Sequence, residues 1–168
     1  MDRIGIFYGS TSGNTRRVAE LIRRELGGEA VGLYDIGRAS EEDLEQYDML
    51  VLGAPTWNQG DLQDDWEAFI SHLDAVELSG KTVALFGLGD QKAYPNAFLD
   101  ALGTLYEHVK RKGATIIGRW PMHGYTFTRS SAVINGEFIG LALDEENQPD
   151  QTEPRVAKWA KMIRLGLG

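Results

Sequence analysis

The chain has no cysteine. That excludes disulfides, thiol nucleophiles and iron–sulfur ligation together, so any handling of electrons falls to a non-covalently held organic group. Histidine is nearly as scarce. His72, His108 and His123 are scattered, without ligand-type spacing to one another or to a carboxylate pair, and are expected on the surface. No apolar run approaches the length needed to cross a bilayer, which argues against membrane insertion. The start, Met1-Asp2-Arg3-Ile4, moves straight into a short strand without the apolar segment of a signal peptide, so a cytoplasmic location is the expectation. Basic residues are in deficit, 17 Lys and Arg against 25 Asp and Glu, for a net charge of −8. Such a balance repels phosphate backbones, which argues against nucleic acid, and favours encounter with basic protein surfaces.

What remains is a length of 168 residues, enough for one domain (1–168) with a sizeable core and too short for two comfortable ones. Strand and helix patterns alternate almost from end to end. Residues 3–8 form a short apolar strand, and 15–26 carry Val18, Leu21, Ile22 and Leu26 at helical spacing before Gly27-Gly28. A weaker outer strand follows at 30–34, then a short helix to about Tyr47 with Ser40 as its N-cap. The run 49–54 is almost continuously apolar, as a parallel strand buried on both faces requires. Further helices are expected at 62–73, 96–112 and 154–165, with strands at 82–86 and from Thr115 to Ile117. This repetition predicts an α/β fold, a doubly wound five-stranded parallel sheet of order 2-1-3-4-5. Residues 119–138 break the rhythm. They are polar and turn-rich, with a hairpin around Asn135-Gly136, and read as an insertion that splits the fifth strand before it resumes at 138–143.

Three loops carry the chemistry. Gly9-Ser10-Thr11-Ser12-Gly13-Asn14-Thr15 lies between a strand and a helix start, so its amides and the positive end of the helix dipole face whatever binds there. It has no Lys in the phosphate-gripping position of a P-loop and does not match G-x-G-x-x-G. A cradle of neutral hydroxyls and amides suits a terminal phosphate monoester. Pro55-Thr56-Trp57-Asn58-Gln59-Gly60 sets one aromatic beyond the third strand, and Gly87-Leu88-Gly89-Asp90-Gln91-Lys92-Ala93-Tyr94 sets another beyond the fourth. In a 2-1-3-4-5 sheet these carboxyl ends lie side by side at the switch point where ligands bind. A flat ring between Trp57 and Tyr94, with a phosphate on the first loop, satisfies all three.

With Gly140-Leu141-Ala142-Leu143-Asp144-Glu145-Glu146-Asn147-Gln148, these loops give the chain a resemblance to the flavodoxins over essentially its full length. The split fifth strand is similar to that of the long-chain subgroup. The resemblance implies one FMN, bound tightly and non-covalently. Its phosphate would rest on Ser10, Thr11, Ser12, Gly13, Asn14 and Thr15. Its isoalloxazine would lie between Trp57 and Tyr94, flanked by Thr56, Asn58, Gln59, Gly60, Leu88, Gly89 and Asp90. Asp144 either approaches the ribityl chain, as an acid can at this place in long-chain relatives, or is an exposed loop acid beside Glu145 and Glu146. Asn58 stands where several short-chain relatives carry Gly, so a peptide flip there is costlier and the semiquinone less stabilised.

The function implied is a low-potential one-electron carrier, not an enzyme, shuttling between semiquinone and hydroquinone. No Lys, Arg or His is placed to balance an anionic reduced ring beside Tyr94 and Asp90. Its partners would be redox proteins with basic surfaces: a ferredoxin/flavodoxin–NADP reductase type of donor or acceptor, and low-potential acceptor enzymes. They would meet this chain, a monomer, in transient complexes. Two rivals compete. An FMN-dependent quinone reductase of related fold would need a second nucleotide-binding segment, and none is found. A receiver-type signalling domain needs an acceptor Asp at the carboxyl end of the third strand, where Pro55-Thr56-Trp57 stands instead.

Overall fold

The computed structural model describes residues 3–57 and 59–166. Strand β1 (Ile4–Tyr8) leads into helix α1 (Asn14–Leu26). Val18, Ala19, Ile22 and Leu26 of α1 are buried at helical spacing, while Arg16, Arg17, Glu20 and Arg24 face water. Strand β2 (Gly32–Asp35) is followed by the short helix α2 (Glu41–Glu45). Its start is a reciprocal capping box: Asp43 N–H donates to Ser40 Oγ at 3.3 Å, and Ser40 N–H donates to Asp43 Oδ2 at 2.9 Å. Strand β3 (Met49–Trp57) takes the apolar run through the centre of the molecule.

Strand β4 (Asp61–Leu62) turns back antiparallel on the end of β3, pairing Thr56 with Leu62 and Trp57 with Asp61. Strand β3 thereby runs three residues beyond the expected Ala54: Pro55 registers with Leu88, and Thr56 and Trp57 find partners in β4. Helix α3 (Asp64–Ala75), strand β5 (Thr82–Leu88) and helix α4 (Asp100–Arg111) complete the third and fourth repeats. Helix α3 starts two residues later than its periodicity suggests, capped by the Gln63 side chain, which accepts from Trp66 N–H at 3.3 Å. Helix α4 starts four residues late, since Phe98 N–H is drawn to Arg129 O at 3.2 Å and Leu99 adopts a left-handed conformation.

The fifth position of the sheet is shared. Strand β6 (Thr115–Ile117) pairs with Thr82–Ala84 of β5, and β10 (Leu141–Leu143) pairs with Phe86–Leu88 of the same strand. Between them, β7 (Trp120–Pro121), β8 (Val133–Ile134) and β9 (Glu137–Phe138) form a separate antiparallel sheet of order β7-β9-β8. The β8–β9 turn is the two-residue Asn135-Gly136, with φ of 55° and 81°, the positive values a type I′ hairpin requires. Helix α5 (Thr152–Arg164) closes the chain.

The parallel sheet runs β2-β1-β3-β5, with β6 and β10 end to end along the far edge of β5, which is the 2-1-3-4-5 order expected from the sequence. Helices α1 and α5 pack together on one face, and α3 packs with α2 and α4 on the other. Fully buried side chains such as Phe7, Leu50, Leu52, Trp66, Phe86 and Trp159 fill the two layers between. The insertion is anchored, not draped. Tyr125, Phe127 and Phe138 surround the ring of Phe98 with centroids 5.2–6.1 Å from it.

Candidate functional site

Strand β3 lies between β1 and β5, so the loops leaving the carboxyl ends of these three strands emerge side by side. They enclose a cleft of about 350 Å³, within the usual range of small-molecule sites. Ser12, Asn14 and Thr15 line one end; Pro55, Thr56 and Trp57 one wall; Leu88, Gly89, Asp90 and Tyr94 the other. Glu145 and Glu146, from the segment after β10, complete the lining. From the sequence these two acids are expected as loop residues beside Asp144 and not in the site.

One end of the cleft is built by the start of α1. Gly13, at φ 94°, caps the helix without a side-chain hydrogen bond to the first turn, and no acidic residue stands in that turn. The first-turn amides therefore keep their donors and the positive end of the dipole. Ser10 shapes the loop from within, its Oγ accepting from Gly13 N–H at 3.0 Å. Thr11 is turned away from the cleft, and its Oγ1 accepts from Gln63 Nε2 at 3.2 Å. Gln63, buried under the first loop, was not singled out from the sequence; it ties this loop to the start of α3.

The aromatic walls differ in origin. Trp57 stands on the β3–β4 hairpin and is 40% exposed, one of three large apolar side chains so placed among the described residues. Tyr94 closes a tight turn in which its N–H donates to Asp90 O at 2.9 Å. Thr56 Oγ1 accepts from Ala101 N–H at 3.2 Å, which fixes the wall to the start of α4. Gly89 N–H donates to Leu143 O at 3.0 Å. Gln59 is exposed and is not among the residues lining this cleft, and Gly60 closes the hairpin with its N–H on Trp57 O and faces the larger cleft beyond Trp57. Asn58 lies outside the described residues.

The described lining holds three carboxylates, Asp90, Glu145 and Glu146, and no basic side chain. Arg17 approaches from α1 and pairs with Glu145. Burial works against the ionised form of Asp90. Hydrogen bonds from Ala93 N–H, Asn147 Nδ2 and Lys92 N–H, with the Lys92 charge, nevertheless hold its carboxyl below the usual range. Asp144 is neither at the cleft surface nor exposed. It is 0% accessible and its two oxygens accept from Gln91 and Asn147.

A second cleft of about 790 Å³ lies on the outer side of Trp57, lined by Asp61, Asp64, Glu67, Thr104 and His108 among others. Thr11 and Gly60, expected at the site from the sequence, line this larger cleft instead; its three acids oppose a phosphate, and the α1 start is not part of it. The smaller cleft alone combines uncapped helix amides with two aromatic walls, and this donor set fits a phosphate monoester joined to a flat ring. His108 is half-buried, bonded to Asp74 at 3.1 Å, and not simply a surface histidine.

The sequence model of the Flavodoxin family matches residues 6–159. A flavodoxin of Synechocystis sp. is 50% identical over 165 residues, covering 98% of this chain and 97% of its own. Flavodoxin 1 of Escherichia coli is 48% identical over 160 residues, covering 95% and 91%. The crystal structure of Fusobacterium nucleatum flavodoxin bound to flavin mononucleotide superposes with a TM-score of 0.94 at 32% identity, over 100% of both chains.

Proposed function

The chain belongs to the flavodoxin family, and on that premise we propose that it is an electron carrier that binds one FMN non-covalently in the cleft between Trp57 and Tyr94. The observation that carries this reading is the meeting, in one cleft, of uncapped α1 amides with two aromatic walls and, among the described residues, no basic side chain in the lining. FMN, when bound, supplies one-electron chemistry that the polypeptide lacks. Ser12, Asn14 and Thr15, with the free amides at the start of α1, would hold the phosphate, while Ser10 and Thr11 shape the loop behind them. Trp57 and Tyr94 cover the two faces of the ring and keep water from it. Thr56, Leu88 and Gly89 would border its edges, with Gln59 and Gly60 on the hairpin beyond Trp57.

The protein also sets the potential. Asp90 is held ionised, Glu146 stands nearby, and Arg17 beside the cleft is already paired with Glu145, so added negative charge on the ring would be disfavoured. The second reduction step therefore falls at low potential, and the chain works between its one-electron-reduced and fully reduced forms. An anaerobic reductive titration followed by visible absorption tests this. A one-electron-reduced species is expected to accumulate before bleaching. Bleaching in a single two-electron step would point to a flavin enzyme, and failure to take up FMN would remove the reading.

Partners are redox proteins with basic surfaces, of the NADP-reductase or low-potential acceptor kind, in transient complexes with this chain as a cytoplasmic monomer. The exposed rim of Trp57 and the acids Asp64 and Glu67 beside it form the approach surface, in keeping with a net charge of −8. Association measured by stopped flow should slow steeply between low and physiological salt. The pair Asp64→Asn with Glu67→Gln should slow it several-fold at low salt. Equal rates for this pair and the parent would place docking elsewhere.

A further inference from the structure

Asp144 is a buried ionisable group with no role in the reading above. A carboxylate removed from water needs a cation or a full set of donors to remain charged. Among the described residues no cation forms an ion pair or hydrogen bond with it. Four neutral donors do. Gln91 gives its backbone N–H at 3.1 Å and its Nε2 at 2.8 Å, both to Oδ2. Asn147 gives its backbone N–H to Oδ1 at 3.0 Å and its Nδ2 to Oδ2 at 2.8 Å.

Each donor leads to the third loop. Gln91, itself 4% exposed, turns its Oε1 to Thr126 N–H of the insertion at 2.6 Å. Asn147 Nδ2 also donates to Asp90 Oδ1 at 2.8 Å. Asp90 in turn accepts from Ala93 N–H through Oδ1 at 2.9 Å and from Tyr94 N–H through its backbone carbonyl. One buried carboxylate thus joins the exit of β10, the turn that carries Tyr94 and the insertion.

We propose that Asp144 is a positioning residue, which sets the Tyr94 ring against the cofactor through Gln91 and the Asn147–Asp90 link and makes no contact with the cofactor itself. The inference rests on the FMN reading. A carboxylate accepts from four donors at once, whereas an amide brings two hydrogens to a place where only donors point. Asp144→Asn therefore loosens the loop while nearly preserving shape.

The test has two readouts. In the apoprotein, hydrogen exchange at residues 91–94 should quicken in Asp144→Asn while that of β1 and β3 stays as in the parent, a result independent of any cofactor. With FMN, affinity should fall about tenfold, and riboflavin affinity by the same factor, since the phosphate end is untouched. In a Tyr94→Ala background Asp144→Asn should weaken FMN little further. Gln91→Ala, which keeps the buried acid, should reproduce the same pattern if Asp144→Asn folds poorly. Unchanged exchange at 91–94, or the full loss of affinity in the Tyr94→Ala background, would overturn the proposal. Absence of FMN binding by the parent chain would instead strike the functional reading, leaving the exchange result to judge the positioning role.

Discussion

Trp57→Ala is expected to weaken FMN binding on the order of a hundredfold. One face of an indole accounts for about half of the 150–250 Å² that an aromatic side chain covers. At ~25 cal/mol per Å² that contributes roughly 2–3 kcal/mol, and offset stacking adds ~0.5–1.5 kcal/mol. Some is recovered as the bare ring is rehydrated, leaving about 3 kcal/mol in Kd. The loss is not softened by collapse of the wall, because the indole separates two clefts, of about 350 and 790 Å³. Its removal joins them and admits water to the ring. Trp57→Phe keeps a flat face and should cost no more than about tenfold. Titration of each apoprotein with FMN, followed by quenching of flavin fluorescence, checks both. A change below about threefold for Trp57→Ala would mean the ring does not lie against Trp57.

The second large effect concerns the support beneath the site. Trp66 is fully buried on α3, edge-on to Phe69 at 6.2 Å, and its Nε1 donates to Gly53 O of β3 at 2.8 Å. Trp66→Ala should destabilise the apoprotein by about 3–5 kcal/mol, the usual result of emptying a large aromatic from a packed core. Trp66→Phe separates the polar part. It keeps most of the volume and leaves Gly53 O with its other donor, Gly9 N–H at 3.1 Å, so it should cost nearer 1–2 kcal/mol. Urea unfolding of the two variants gives both numbers. A loss below about 1 kcal/mol for Trp66→Ala would show that α3 is not seated on β3 by this side chain.

Local chemistry explains which parts were legible in the sequence. Ser40 with Asp43 and the Asn135-Gly136 turn act within a few residues, and both appear in the structure as their residue types dictate. The apolar run of β3 announced a strand buried on both faces, and the three loops followed from sheet order alone. What stayed hidden depends on partners distant in the chain. The start of α4 is set by Arg129, 31 positions after Phe98, which no helical periodicity can register. Gln63 and Gln91 are ordinary glutamines in the sequence. Only folding brings one under the first loop and the other between Asp144 and Thr126. From the sequence Asp144 is either a neighbour of the ribityl chain or a loop acid like Glu145 and Glu146, yet the chain buries it behind the cleft and leaves the other two on its wall. A run of like residues does not say which member faces inward.

The division of the fifth strand has a consequence for how this protein meets copies of itself. A sheet edge is a template for foreign strands in proportion to its uninterrupted length. Here the outer edge of β5 is covered by two fragments of three residues each, β6 and β10, with the chain leaving the sheet between them. An incoming strand finds no longer stretch in register before the ladder is broken. The opposite edge, β2, is itself only four residues long. A sheet whose middle strands are almost wholly apolar thus offers little purchase for edge-to-edge growth, and the detour of the chain serves as a guard against aggregation.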